Sequence, residues 1–419
     1  MLKQCVILST ILVALIAILI QILPVKYLMA SYMILPENDK PQMYLSKVKD
    51  YTDPLPTNFL GEPVKIKVGP LDFILIVEAS PRALAENINT TAMISDWYHE
   101  NIAWFQDNLV KYGGILLRNF NVHDAIEFDE ILSQFHRDSA GTGIYLGTAP
   151  RQKINGTRFV STASDIPRPI TIPTHIELSF TPNPPRRLYF FAEKPNEPLG
   201  GQTTYTDFRA VWEDLSPETR EKLTRREMVV ERRHHSRYNT HPICIMYSKS
   251  WQEMFKTENR TLIEQLAREQ EFTPIWIPEG DELILRHRQL VYRNHSVTHR
   301  PYWATHFNVL HGETYEIPYA WSAQIFESKE SVLLTWFFVI VYKIRHGWMG
   351  FPYGHNMFYM DTNEPIDFET AMEIRRAISR KTWIFDWMKG DIMIIDNHRL
   401  AHGRSPWWKG ERKVYVAWN

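Results

Sequence analysis

Among the residues that could do chemistry in this chain, His175, Glu177 and His402 have the most telling types and spacing. Side chains two positions apart on a strand project from the same face, so His175-Ile176-Glu177, read as extended chain, presents an imidazole and a carboxylate together. A histidine from far along the chain, His402, would complete three ligands. Two imidazoles and one carboxylate on one face of an octahedron leave the opposite face open, and this donor set suits ferrous iron in oxygen-activating enzymes. The short pattern alone is weak, because 16 His and 48 acidic residues in 419 give roughly two chance matches to His-x-Asp/Glu. A second match does occur at His311-Gly312-Glu313. Its central glycine favours a turn over a rigid strand, which sets it aside as a metal site.

The elements that must position the first set have readable signals. Residues 170–180 form a β-rich run with His175 and Glu177 on a single face. Ile392-Met393-Ile394-Ile395 reads as a short apolar strand, opened by Lys389-Gly390-Asp391 and closed by Asp396-Asn397, with His402 directly after it. Further strand-like runs occur at 187–192 and 283–292. Apolar residues recur at helical spacing from Asp96 to Lys111, before the Gly113-Gly114 break and the apolar Ile115-Leu116-Leu117. Ser216-Pro217 looks like a cap opening a charged helix through Arg225, and Asp367 begins another running to about Arg380. The sum is a mainly β core with flanking helices (α+β).

With these motifs in order, the chain resembles the iron(II)/2-oxoglutarate dioxygenases of the taurine dioxygenase and clavaminate synthase type. The resemblance is carried by His175-Ile176-Glu177, by Gly200-Gly201-Gln202-Thr203, by 112–120, 184–191 and His306-Phe307-Asn308, and by the run from Lys389 to Arg404. It covers roughly residues 66–419, and glutamate at 177 in place of aspartate looks like the clavaminate synthase branch. The resemblance implies a double-stranded β-helix (jelly-roll) core, with Fe(II) held by His175, Glu177 and His402. It also implies 2-oxoglutarate as cosubstrate, held by Thr203 and by Arg412 or its neighbour Lys413. Three protein ligands leave room for a bidentate 2-oxo acid and molecular oxygen, and a guanidinium best matches the far carboxylate. Oxidation of a small organic substrate, most simply hydroxylation, with release of succinate and carbon dioxide follows from the resemblance. Val416 and Ala417 stand where relatives that bind small sulfonates or carboxylates carry a further arginine, which argues against such a substrate. The long separation of Thr203 from His402 implies an insertion within 210–300. Two rivals remain: an inactive anchored binding protein of the same fold, and a zinc hydrolase using the same three side chains.

Bulk properties narrow the class. A chain with 44% hydrophobic and 13% aromatic residues can bury a large core, and a formal charge of -1 provides no basic field for nucleic acid. Cys5 and Cys244 are the two cysteines, so no disulfide framework or thiolate zinc site is available. Residues 5–23 carry no charge and are long enough to cross a bilayer as a helix, which predicts a membrane anchor (1–30), with a cleaved signal peptide as the rival reading. Residues 31–65, rich in proline, read as an extended linker ahead of the catalytic domain at 66–419. Sequons at Asn89, Asn155, Asn259 and Asn294 lean toward a lumenal catalytic domain, although charge counting leaves the orientation open. Residues 332–342 are too short to span a membrane and read as a core element, with a lid or membrane-facing helix as the alternative. His234, His235 and His241 sit among Arg232, Arg233 and Arg237 and read as solvated surface. Gly141 to Gly147 misses the dinucleotide fingerprint and reads as a loop. Arg404 is open to either a substrate contact or a surface ion pair.

Overall fold

In a computed structural model of the protein, the residues described are 28–43, 48–55, 64–136, 151–164, 166–195, 200–239, 249–312 and 316–419. The apolar stretch 5–23, the 141–147 run, His241, Glu313 and both cysteines lie outside them. Among the described residues, no helix is long and apolar enough to cross a membrane.

Two sheets lie face to face. The larger has eight strands in the order Lys49–Asp50, Val64–Val68, Leu75–Ala79, Gly114–Arg118, Ile392–Asp396, Arg187–Lys194, Lys413–Trp418, Ser161–Thr162. The smaller has five, in the order Gln42–Met43, Thr382–Phe385, Thr203–Asp207, Leu400–Arg404, Ile172–His175. Pairing is antiparallel except for two parallel contacts, one in each sheet. Alternation places Leu188, Phe190, Met393, Ile395 and Val416 on the inner face, against Tyr205, Trp383, Phe385 and Leu400 of the smaller sheet. The intervening Tyr189, Phe191, Ile392 and Ile394 face outward, under the helices Thr91–Glu100, Ile102–Tyr112 and Ala125–Phe135. Both faces of the central strands are buried, which is why their sequences run apolar without a break. This pair of sheets is the double-stranded β-helix, in a mixed α/β setting.

The long spacing between Thr203 and His402 is filled by folded structure. Strands Thr273–Ile277, Glu282–Gln289, Met228–His234 and His355–Tyr359 make a four-stranded sheet in that order. The helices Phe208–Asp214 and Phe368–Arg380 share a buried cluster with Met228, Val230 and Met357 of that sheet and with Ala401 of the smaller sheet.

Several sequence expectations need correction. The helix read as 96–111 is two helices broken at Asn101, whose side-chain amide donates to the Trp97 carbonyl. The described part of 31–65 is not free chain, because Met33 and Leu35 are buried against the helices Ile317–Ile325 and Lys329–Tyr342. His234 is fully buried, with burial and Arg232 pulling its pKa to about 3, so the surface reading fails for it. Asn89 is also buried, donating to the Asn119 carbonyl at 2.8 Å, so this sequon is not presented to solvent. The helices opened by Ser216 and Asp367 are present, each capped by the expected side-chain oxygen.

Candidate metal centre

The strand Ile172–His175 ends at the first ligand. Glu177 sits one step into a turn, and Leu178 has a left-handed φ of 53, so the two residues are not on one continuous strand as the spacing suggested. They meet because of the strand beside them. His402 lies directly across from His175 in the antiparallel pairing, with the two rings 4.5 Å apart. Asn397 then fixes the turn: its side chain accepts from the Glu177 amide at 2.9 Å and donates to the carbonyls of Glu177 and Pro185 at 3.0 and 2.7 Å.

One Glu177 carboxylate oxygen is 3.5 Å from Nε2 of His402 and 4.0 Å from Nε2 of His175. The three ligand atoms lie within 4.8 Å of one another. Nδ1 of His175 is 2.9 Å from the Pro173 carbonyl, which holds the proton there and turns Nε2 toward the centre. Burial, assisted by His402, lowers the His175 pKa to about 4, so the ring is neutral and its lone pair is available. For Glu177 burial alone would raise the pKa, but Arg151, with its guanidinium 2.6 Å from the carboxylate, and the two imidazoles outweigh it and hold the group well below the usual range. Two imidazoles and one carboxylate form a donor set that takes a divalent first-row ion. Among the described residues, no other group of three His, Cys, Asp or Glu is so arranged. His311 of the rejected pattern is buried and stacked on Phe307, 4.7 Å between rings.

The other expected residues are also placed. Thr203 is buried, and its hydroxyl accepts from Trp387 at 2.7 Å and from Arg412 at 3.3 Å. Arg412 further donates to the Gly201 carbonyl at 2.7 Å. Burial lowers its pKa to about 10, which leaves it charged at neutral pH. Its neighbour Lys413 turns to the surface and pairs with Glu193 at 3.3 Å. Arg404 is neither a surface ion pair nor a free cation: it is buried and donates to the carbonyls of Ile166, Pro167 and Ile170.

Sequence reasoning missed Arg151, Asn397, Trp387 and Tyr205. Tyr205 stands across from His402 on the adjoining strand, and its hydroxyl is buried without a partner among the described residues. Burial raises its pKa well above 10, partly offset by Arg412. On the far side of His175, the ring of His306 lies 5.2 Å from that of His175 and 5.3 Å from Phe180.

Residues 81–418 match the model of the family described as "Taurine catabolism dioxygenase TauD, TfdA family". The chain belongs to this family. It is accordingly an oxidoreductase of the dioxygenase class, with iron and 2-oxoglutarate as cofactors. Among curated relatives it is 26% identical over 311 residues to the dapdiamide synthesis protein DdaC of Enterobacter agglomerans, covering 74% of this chain and 82% of that one. It is 23% identical over 308 residues to a clavaminate synthase-like protein of Arabidopsis thaliana, covering 72% and 80%. Among solved structures, PvcB of Pseudomonas aeruginosa aligns with a TM-score of 0.44 at 13% identity, over 87% of this chain and 95% of that one.

Proposed function

We propose that this family member uses His175, Glu177 and His402 to bind Fe(II) and couples oxidative decarboxylation of 2-oxoglutarate to hydroxylation of a small organic substrate. The observation that carries the assignment is the convergence of the three ligand atoms within 4.8 Å, with Glu177 and His402 buried and His175 half-buried. When bound, the iron supplies the redox chemistry on oxygen. The protein's own residues position and exclude water. Arg412 provides paired donors for the distal carboxylate of 2-oxoglutarate, Thr203 a hydroxyl beside it, and Tyr205 a third donor. Asn397 and the Pro173 carbonyl orient the ligands, and His306 with Phe180 walls the site. Val416, buried inside the core, leaves no cation where a second arginine would stand, so the substrate is not a small sulfonate or carboxylate held in that manner.

Anaerobic addition of Fe(II) and 2-oxoglutarate tests this directly. A weak visible charge-transfer band, followed in air by succinate release, is the expected result, and His175→Ala or Glu177→Ala abolishes both. Undiminished succinate formation in either variant rejects the site.

The same proposal includes an N-terminal membrane anchor at 5–23 with the catalytic domain on the lumenal side. The uncharged length of that stretch supports the anchor. The exposed Asn155, Asn259 and Asn294 support the orientation. A mobility shift on endoglycosidase treatment is expected, and full sensitivity of the domain to protease added from the cytosolic side rejects it.

A further inference from the structure

The helix Lys329–Tyr342 is apolar almost all round, but the fold uses only one side of it. Val332 and Val339 pack beneath it with Met29, Met33 and Leu35, and Phe338 packs with Tyr319. On the other side Leu333 is 37% and Phe337 51% exposed. These two residues, with Ile340 and Trp408, line a groove of about 360 Å³ that is almost wholly apolar. The exposed apolar surface continues past the helix end through Ile344, Trp348 (66% exposed) and Met349. Such a run on a monomer marks an interaction surface.

What covers it is indicated by the chain that enters beside it. Trp336 of this helix donates its indole N–H to the Leu28 carbonyl at 2.8 Å, so residue 28 is fastened to the helix that bears the exposed face. Between Leu28 and the end of the uncharged stretch 5–23 stand only Pro24, Val25, Lys26 and Tyr27. Even fully extended, that connection reaches ~18 Å from Leu23 to Leu28. A bilayer entered by residues 5–23 therefore has its surface within that distance of Trp336. Around the patch, Trp348 and Trp408 offer the amphipathic rings that favour the interface, and exposed Lys329, Lys343 and Lys409, with Glu330 among them, supply the charged rim whose side chains reach lipid headgroups.

We propose that the outward face of Lys329–Tyr342, with Trp348 and Trp408, is a bilayer-contact surface that sinks into the headgroup region and fixes the orientation of the catalytic domain on the membrane. The inference rests on the anchor reading for its occupant, and its test separates the two. The full chain, with Cys5→Ser and Cys244→Ser, carries an environment-sensitive fluorophore at Phe337→Cys, or at Leu333→Cys as a second position. Thr261→Cys, exposed on the helix Arg260–Glu269, is the control. Reconstitution uses phosphatidylcholine vesicles containing a nitroxide lipid. Several-fold stronger quenching at 337 and 333 than at 261 is the expected outcome. Carbonate-resistant association with equal quenching at all sites overturns the surface while leaving the anchor standing. Carbonate extraction with selective quenching overturns the anchor and leaves a peripheral contact surface. A blue shift at 337 that needs no lipid, whether it grows with protein concentration or not, means a second copy or the N-terminal segment fills the groove, and overturns the proposal.

Discussion

A metal centre built on a turn depends on whatever holds the turn, and here that is Asn397. The side chain is fully buried and makes three hydrogen bonds to the backbone around Glu177 and Pro185. Asn397→Ala should cost about 2–3 kcal/mol, because it strands buried backbone groups. It should also weaken iron binding by about 10–100-fold, the usual consequence of losing a group that orients a ligand. Iron titration alongside denaturant unfolding checks both, and unchanged affinity would mean that Glu177 is oriented from elsewhere. At the cosubstrate end, Arg412→Lys should raise the KM for 2-oxoglutarate at least about tenfold, because a point charge replaces a fork. Tyr205→Phe should raise it several-fold, and Lys413→Ala should leave it unchanged. The three ligands were legible because several linked motifs stand in order around them, although the His-x-Glu pattern alone is common. The choice between Arg412 and Lys413 was not, since neighbours on a strand face opposite ways and sequence does not say which way the strand is turned. Asn397 was legible only as the end of a strand and Tyr205 not at all, because an amide and a phenol have no spacing rule that marks a role at a metal site.

The elements that bring the ligands together are strands that approach unusually closely. A Cβ on Gly403 would stand 2.5 Å from the Ile172 carbonyl oxygen and 2.6 Å from the Thr204 hydroxyl. Glycine after the distal histidine is thus a requirement of space, not of backbone angle. Gly403→Ala should force apart the strands that carry His175 and His402, with a stability loss of about 3 kcal/mol and loss of the charge-transfer band. A variant that kept the band at full intensity would show that the strands can separate without moving the ligands. Gly201 is the complementary case, with a φ of +67 and Arg412 Cδ 2.9 Å from where its Cβ would be, so the Gly-Gly-x-Thr segment both bends and makes room. Sequence patterning located the strands at 187–194 and 392–396 to within two residues, because burial on both faces leaves an unbroken apolar signal. It overextended the strand at 170–180, since nothing in Ile176-Glu177-Leu178 announces a turn that is imposed by Asn397 from 220 residues away. It also joined two helices across Asn101, whose apolar neighbours keep helical spacing on both sides.

At the scale of the molecule, the sheets and helical layers are tied by buried ion pairs that no local pattern reveals. Arg118 holds Asp391 through two hydrogen bonds of 3.0 and 2.7 Å across the larger sheet. Arg399 holds Asp207 at 2.6 Å across the smaller one and also donates to the carbonyls of Val110 and Lys111 at the end of a covering helix. Asp207 in turn caps the helix Phe208–Asp214. Burial would raise its pKa, but Arg399 and the cap outweigh that and hold it below the ordinary 3.8. A carboxylate whose folded pKa lies below its unfolded value adds stability that is complete above the unfolded value, and the addition is lost as pH falls through the folded one. The wild-type protein should therefore lose stability as pH drops below about 4, and part of that slope should belong to this pair. Asp207→Asn keeps the shape but leaves Arg399 buried beside a neutral amide, so it should cost about 3–5 kcal/mol at pH 7. It should also flatten the acid limb of the stability curve, because the titrating group is gone. Denaturant midpoints measured from pH 7 downward for both proteins check this. Parallel curves offset by a constant would assign the acid sensitivity to other carboxylates and leave Asp207 as a helix cap alone.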